Sequence, residues 1–124
     1  MAFSYSIEEN ILTVPVEISA IRGGNAIVNH DIFILAQEQS VKGVILDLAH
    51  VQFIDYTSIG ELSVIAQRFK NLQIPFVICN PNEHISRLLQ ITNLKRIITI
   101  FPNRQQASEH ILKTGNQFYP SSPF

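Results

Sequence analysis

A single cysteine, Cys79, occurs among the 124 residues, so no disulfide can form within the chain. Long apolar runs are missing too, and none approaches the roughly 20 residues that a bilayer-spanning helix requires. Charge is sparse, at 15% of residues with a net value of −1, and Lys and Arg are scattered. That pattern offers no footprint for nucleic acid. The first residues, Met1-Ala2-Phe3-Ser4-Tyr5, carry neither a basic flank nor the apolar core of a signal peptide. His30, His50, His84 and His110 never take up metal-ligand spacing, and the pairs His30-Asp31 and Glu83-His84 diverge if helical. Gly23-Gly24-Asn25 lacks the Lys and Ser/Thr of a phosphate-binding loop. No nucleophile stands beside a base. The expectation is a cytoplasmic protein with no membrane span, no metal and no cofactor.

What the chain does have is apolar content, 46% of residues, enough for one packed domain. We place that domain at residues 1–113, followed by a loose tail at 114–124 with two prolines and no period. Phe3, Tyr5 and Ile7 alternate with serines and predict a strand; Ile11 to Ile18 predicts a second, joined to it by a Glu9-Asn10 turn. Pro15 argues for an edge or a bulge there. Asn25 can cap a helix to about Gln39, with Val28, Ile32, Leu35 and Ala36 as its apolar stripe. Val41 to Leu48 is too densely apolar for a half-exposed strand, so it should lie centrally, covered on both faces. Ile59, Leu62, Ile65, Ala66 and Phe69 predict a helix to about Lys70. Ile74 to Cys79 predicts a buried strand opened by Pro75. A short helix capped by Asn82 carries Ile85, Leu88 and Leu89, and Ile97 to Phe101 predicts a last strand. A final helix capped by Asn103 buries Ala107, Ile111 and Leu112. Alternation of strands and helices means an α/β domain: a mixed sheet, parallel in its centre, covered by about four helices.

The most informative stretch is Gly43 to Gly60. An apolar strand ends in Asp55-Tyr56-Thr57-Ser58, at the start of a helix. Two readings suit this cluster. In one, Ser58 and Glu61 form a Ser-x-x-Glu capping box, with Asp55 helping one step earlier. In the other, hydroxyls at a helix N-terminus receive a phosphate. A small enzyme built on Asp55 and these hydroxyls is a third possibility, although no base or metal partner accompanies it.

Phe53-Ile54-Asp55-Tyr56-Thr57-Ser58-Ile59-Gly60 resembles the signature of the STAS family, the anti-sigma factor antagonists. Ile74-Pro75-Phe76-Val77-Ile78-Cys79 resembles the family's next strand, and Ser86 to Leu94 its Leu-rich short helix and turn. The resemblance covers most of residues 3 to 113 and is weakest between Glu17 and Asn29. It implies a STAS-like fold and a binding module rather than an enzyme. The implied partner is an anti-sigma factor with Ser/Thr kinase activity, released when the domain is phosphorylated, and transcription is what the exchange regulates. In the family the acceptor hydroxyl follows the Asp directly, a column that holds Tyr56 here. The resemblance therefore carries phosphorylation to Thr57 or Ser58, and the partner surface to Asp55, Tyr56, Thr57, Ser58 and Glu61. All four residues from Asp55 to Ser58 are expected to be exposed. A constitutive accessory or scaffold subunit of a transporter or signalling assembly is the alternative. The segment Glu17-Ile18-Ser19 departs from the Glu-Leu-Asp common in the family.

Overall fold

A computed structural model describes residues 3–23 and 29–114 of the chain. The expected cap at Asn25, the stripe position Val28 and residues 115–124 of the tail lie outside the described residues, while Thr114, placed in the tail, is the last residue of the final helix.

A hairpin opens the chain. Strand β1 (Ser6–Glu8) runs antiparallel to β2 (Ile11–Pro15), and the turn residues Glu9 and Asn10 both adopt positive φ, at 54° and 64°. Such a turn matches the right-handed twist of the strands that it joins. β2 then pairs in parallel with β4 (Gly43–Asp47), β4 with β6 (Phe76–Cys79), and β6 with β7 (Thr99–Phe101). The five-stranded order is β1-β2-β4-β6-β7, mixed with a parallel centre as expected.

Pro15 corrects one expectation, because β2 is an interior strand. Val16 donates its N–H to the carbonyl of Asp47, so the nitrogen of Pro15, one residue earlier, faces the other side. There β1 pairs only with Thr13, Leu12 and Ile11, and no ladder bond is lost.

Period-two alternation divides the core in two. Leu12, Val14, Val44, Leu46, Phe76 and Ile78 face helices α1 (Asn29–Glu38), α2 (Tyr56–Asn71) and α3 (Glu83–Ile91). Ile32, Leu35 and Ala36 cover that side from α1, as do Leu62, Ile65 and Phe69 from α2 and Ile85 and Leu89 from α3. Ile11, Ile45, Val77 and Cys79 face the other way, onto Ala107 and Ile111 of α4 (Arg104–Thr114). Leu112 is 40% exposed and does not join that face. Gly43 lets α4 settle: a Cβ there would stand 2.7 Å from Ile111 Cγ2. Burial first, and then the nearby charge of Asp47, push the Cys79 thiol up to about 12, which keeps it protonated.

Two caps fall where the sequence puts them. Asn82 Oδ1 accepts from Ile85 N–H at 2.7 Å, and Asn103 Oδ1 from Gln106 N–H at 2.9 Å. A second, two-stranded sheet was not foreseen: β3 (Ala20–Ile21) pairs in parallel with β5 (Phe53–Ile54). A two-residue strand is too short to show a period, so only the folded chain reveals it. Among the described residues, no helix is long and apolar enough to cross a membrane.

Candidate functional site

The small β3–β5 sheet delivers Asp55 to the start of α2. Asp55 donates its N–H to the carbonyl of Ile21 at 3.1 Å, and its backbone is extended, with φ −93° and ψ 172°. That is N-cap geometry, and the side chain completes it. Asp55 Oδ1 accepts from Ser58 N–H at 2.9 Å and from the Ser58 hydroxyl at 2.7 Å. Oδ2 accepts from Gly23 N–H at 2.8 Å, across the sheet from a residue held at φ +60°, where glycine is unstrained. The Ser58 hydroxyl bond, followed by the Ser58 and Gly23 N–H bonds, holds the Asp55 carboxyl below its ordinary value of 3.8, and Arg22 adds to the effect.

This geometry corrects the capping box centred on Ser58. Helix α2 begins at Tyr56 rather than Ile59, and the cap is Asp55. Ser58 sits in the first helical turn with 0% exposure, against the expectation that the whole segment would be open. The period of the helix explains it. Ser58 lies four residues before Leu62, seven before Ile65 and eleven before Phe69, all buried on the sheet side. The stripe that the sequence displays from Ile59 onward extends back to Ser58, and that was the available signal. Only its polarity concealed it.

Tyr56 and Thr57 point outward, Tyr56 with 66% exposure. Tyr56 continues into exposed Gly60 and Val64 at intervals of four, and no atom would lie within 4 Å of a Cβ at Gly60. Glu61, half-buried, follows Thr57 by one helical turn. The structure thus brings Asp55, Tyr56, Thr57 and Glu61 to one helix end and withdraws Ser58 beneath them.

The sequence reading missed a neighbouring column of planar groups. Arg22 lies over the Phe53 ring, with Cζ 4.7 Å from the centroid, and the His84 ring stacks on Phe53 at 6.1 Å with planes 16° apart. These groups hold β3, β5 and α3 together beside Asp55. Among the described residues, no group of three His, Cys, Asp or Glu side chains could hold a metal ion.

Comparison with known proteins agrees with this architecture. The TM1081 homolog of Thermotoga neapolitana, whose name marks it as a candidate anti-sigma factor antagonist, is 34% identical over 68 residues, which span 55% of this chain and 60% of that protein. The crystal structure of TM1081 from Thermotoga maritima, described in the same terms, is 26% identical, with a TM-score of 0.75 over 89% of this chain and 94% of that one. The phosphorylated form of the Bacillus cell fate determinant SpoIIAA shares the fold at 12% identity, with a TM-score of 0.65 over 89% of this chain and 99% of that one. The STAS domain family model matches residues 6–107, and the chain belongs to the STAS domain family.

Proposed function

We propose that this chain is an anti-sigma factor antagonist: a binding module that engages an anti-sigma factor through the N-terminal end of α2 and is released by phosphorylation of Thr57. The observation that carries the reading is the division of the hydroxyls. Thr57 is exposed in the first turn of α2, whereas the neighbouring Ser58 hydroxyl is sealed and bound to Asp55. A protein kinase needs a presented hydroxyl, and of the two that the family resemblance names, Thr57 is the one presented. A phosphate there adds about −1.5 to −2 charges beside Asp55 and Glu61. The helix N-terminus accommodates that charge, but a partner seated on Tyr56 and Thr57 meets repulsion and a desolvation penalty. Exposed Tyr56 supplies an aromatic anchor of the kind that dominates binding energy. The names of the matched relatives support the same assignment.

One observation favours a second reading, that of a constitutive STAS module in a transporter or signalling assembly. The position directly after Asp55 holds Tyr56, which a Ser/Thr kinase does not modify. Incubation with ATP and a kinase-type anti-sigma factor from the same source, followed by mass spectrometry, separates the two. Phosphate on Thr57 supports switching. Binding without any phosphate transfer supports the constitutive module, and phosphate on Tyr56 alone overturns the Thr57 assignment.

A further inference from the structure

Three of the five glycines lie among the described residues, and two of them have a reason within the fold. Gly23 has a φ of +60°, and a Cβ on Gly43 would meet Ile111. Gly60 has neither. It lies in the interior of α2, its φ is not positive, and a Cβ there would find no atom within 4 Å. Glycine in a helix interior is less stable than alanine, because it loses more backbone freedom on folding and packs nothing. The helix thus carries a local cost at a position where the domain itself would accept a side chain.

The exposed surface around Gly60 is apolar. Tyr56 and Val64, one turn to either side on the same stripe, are 66% and 50% exposed. At 1.5 Å per residue, they stand about 12 Å apart along the helix axis. From Tyr56 to Gln67, Glu61 is the single charged residue. The surface is a shallow saddle, two apolar side chains with bare backbone in the middle. Its length matches the roughly 10–12 Å width of an α-helix with its side chains.

We infer that an α-helix of the anti-sigma factor crosses α2 at Gly60, backbone close to backbone, with its flanks between Tyr56 and Val64. The inference rests on the anti-sigma factor being the partner of the α2 site, and it adds the residue that sets the distance of approach. Packed helices stay about 8–10 Å apart, a spacing fixed by the side chains at the crossing. Glycine removes that spacer, so the Tyr56 ring and the Val64 methyls can both reach the sides of the partner helix. A methyl at Gly60 pushes the partner outward and loosens both contacts together.

Titration calorimetry against a kinase-type anti-sigma factor from the same source, with thermal melts of each variant alone, tests the inference. Gly60→Ala should melt roughly 2–6 °C above wild type, and Gly60→Leu no lower than wild type. Binding should nevertheless weaken with side-chain size, by at least about tenfold for Gly60→Leu. A Gly60→Ala protein that melts below wild type assigns the glycine to the fold and overturns the inference. A photo-crosslinking side chain, introduced as Val64→p-benzoylphenylalanine, should attach to a helix of the anti-sigma factor, and attachment only to a strand or loop overturns the helix assignment. Thr57→Glu, measured in parallel, keeps two failures apart. If it weakens binding while Gly60→Leu binds as wild type does, the α2 site stands and the crossing is overturned. If Gly60→Leu weakens binding and Thr57→Glu does not, the crossing stands without the switch. A wild type with no affinity for the anti-sigma factor overturns both.

Discussion

Ser58 donates twice to one oxygen of Asp55, through its N–H at 2.9 Å and its hydroxyl at 2.7 Å. The carboxylate that starts α2 therefore also occupies the hydroxyl best placed, by residue type alone, to be mistaken for a modification site. Capping and modification, which compete for Ser58 in the sequence, are assigned to different residues by the fold. Ser58 belongs to the cap, and Thr57 is the hydroxyl left outside.

Replacing Ser58 with Ala should test that assignment. A lost buried hydrogen bond costs about 1 kcal/mol, which lowers the melting temperature of a domain this size by roughly 3–6 °C. Affinity for an anti-sigma partner should not change, because the side chain never reaches the surface. Calorimetry and binding on the same sample decide it: a variant with wild-type stability but weakened binding refutes the structural role.

Acid should expose the contribution of Asp55. Its folded carboxyl titrates below the ordinary 3.8, so the stabilising effect is fully present above that value and disappears as pH falls through the folded one. Thermal melts of the wild type and Asp55→Asn from neutral pH downward should differ by a constant amount and then converge below about pH 3.8. A gap that persists unchanged at the lowest pH contradicts a charged cap.

Thr57→Glu places a negative charge where the phosphate would stand. Partner binding should weaken by at least tenfold, about 1.4 kcal/mol, while circular dichroism and melting temperature stay close to wild type, since Thr57 is exposed. Wild-type affinity in this variant would move the interface away from the start of α2.

Gly43 and Ile111 should couple. Gly43→Ala drives a Cβ to 2.7 Å from Ile111 Cγ2 and should cost about 1–3 kcal/mol. In an Ile111→Ala background the same change should cost at least about 1 kcal/mol less, because the clashing atoms are gone. Denaturant titration of all four proteins measures the cycle, and simple additivity would mean that α4 does not pack on Gly43 as described.

Much of this was legible in the sequence. The runs at Gly43–Asp47 and Phe76–Cys79 could only be central strands, because no half-exposed strand is apolar at successive positions. Asn82 and Asn103 announced their helices through local chemistry, and Glu9-Asn10 announced its hairpin. The family resemblance, which the match over residues 6–107 confirms, rested on the same local order. All of these are properties of neighbours along the chain.

Other features needed contacts between distant residues. Pairing of Ala20–Ile21 with Phe53–Ile54 brings Gly23 to Asp55, and Arg22 to the face of Phe53, across some thirty positions of sequence. Which residue caps the start of α2 depends on that sheet, since Asp55 is held extended by its bond to Ile21 before the helix begins. Residue types and periods thus determined the elements, their order and the place of the site. The stripe of α2 marked the side of Ser58, but tertiary structure decided that a hydroxyl could be sealed there, by bringing the Asp55 carboxylate to it. A helix rotates each residue about 100° from the last, and the sheet it rests on chooses which side is buried.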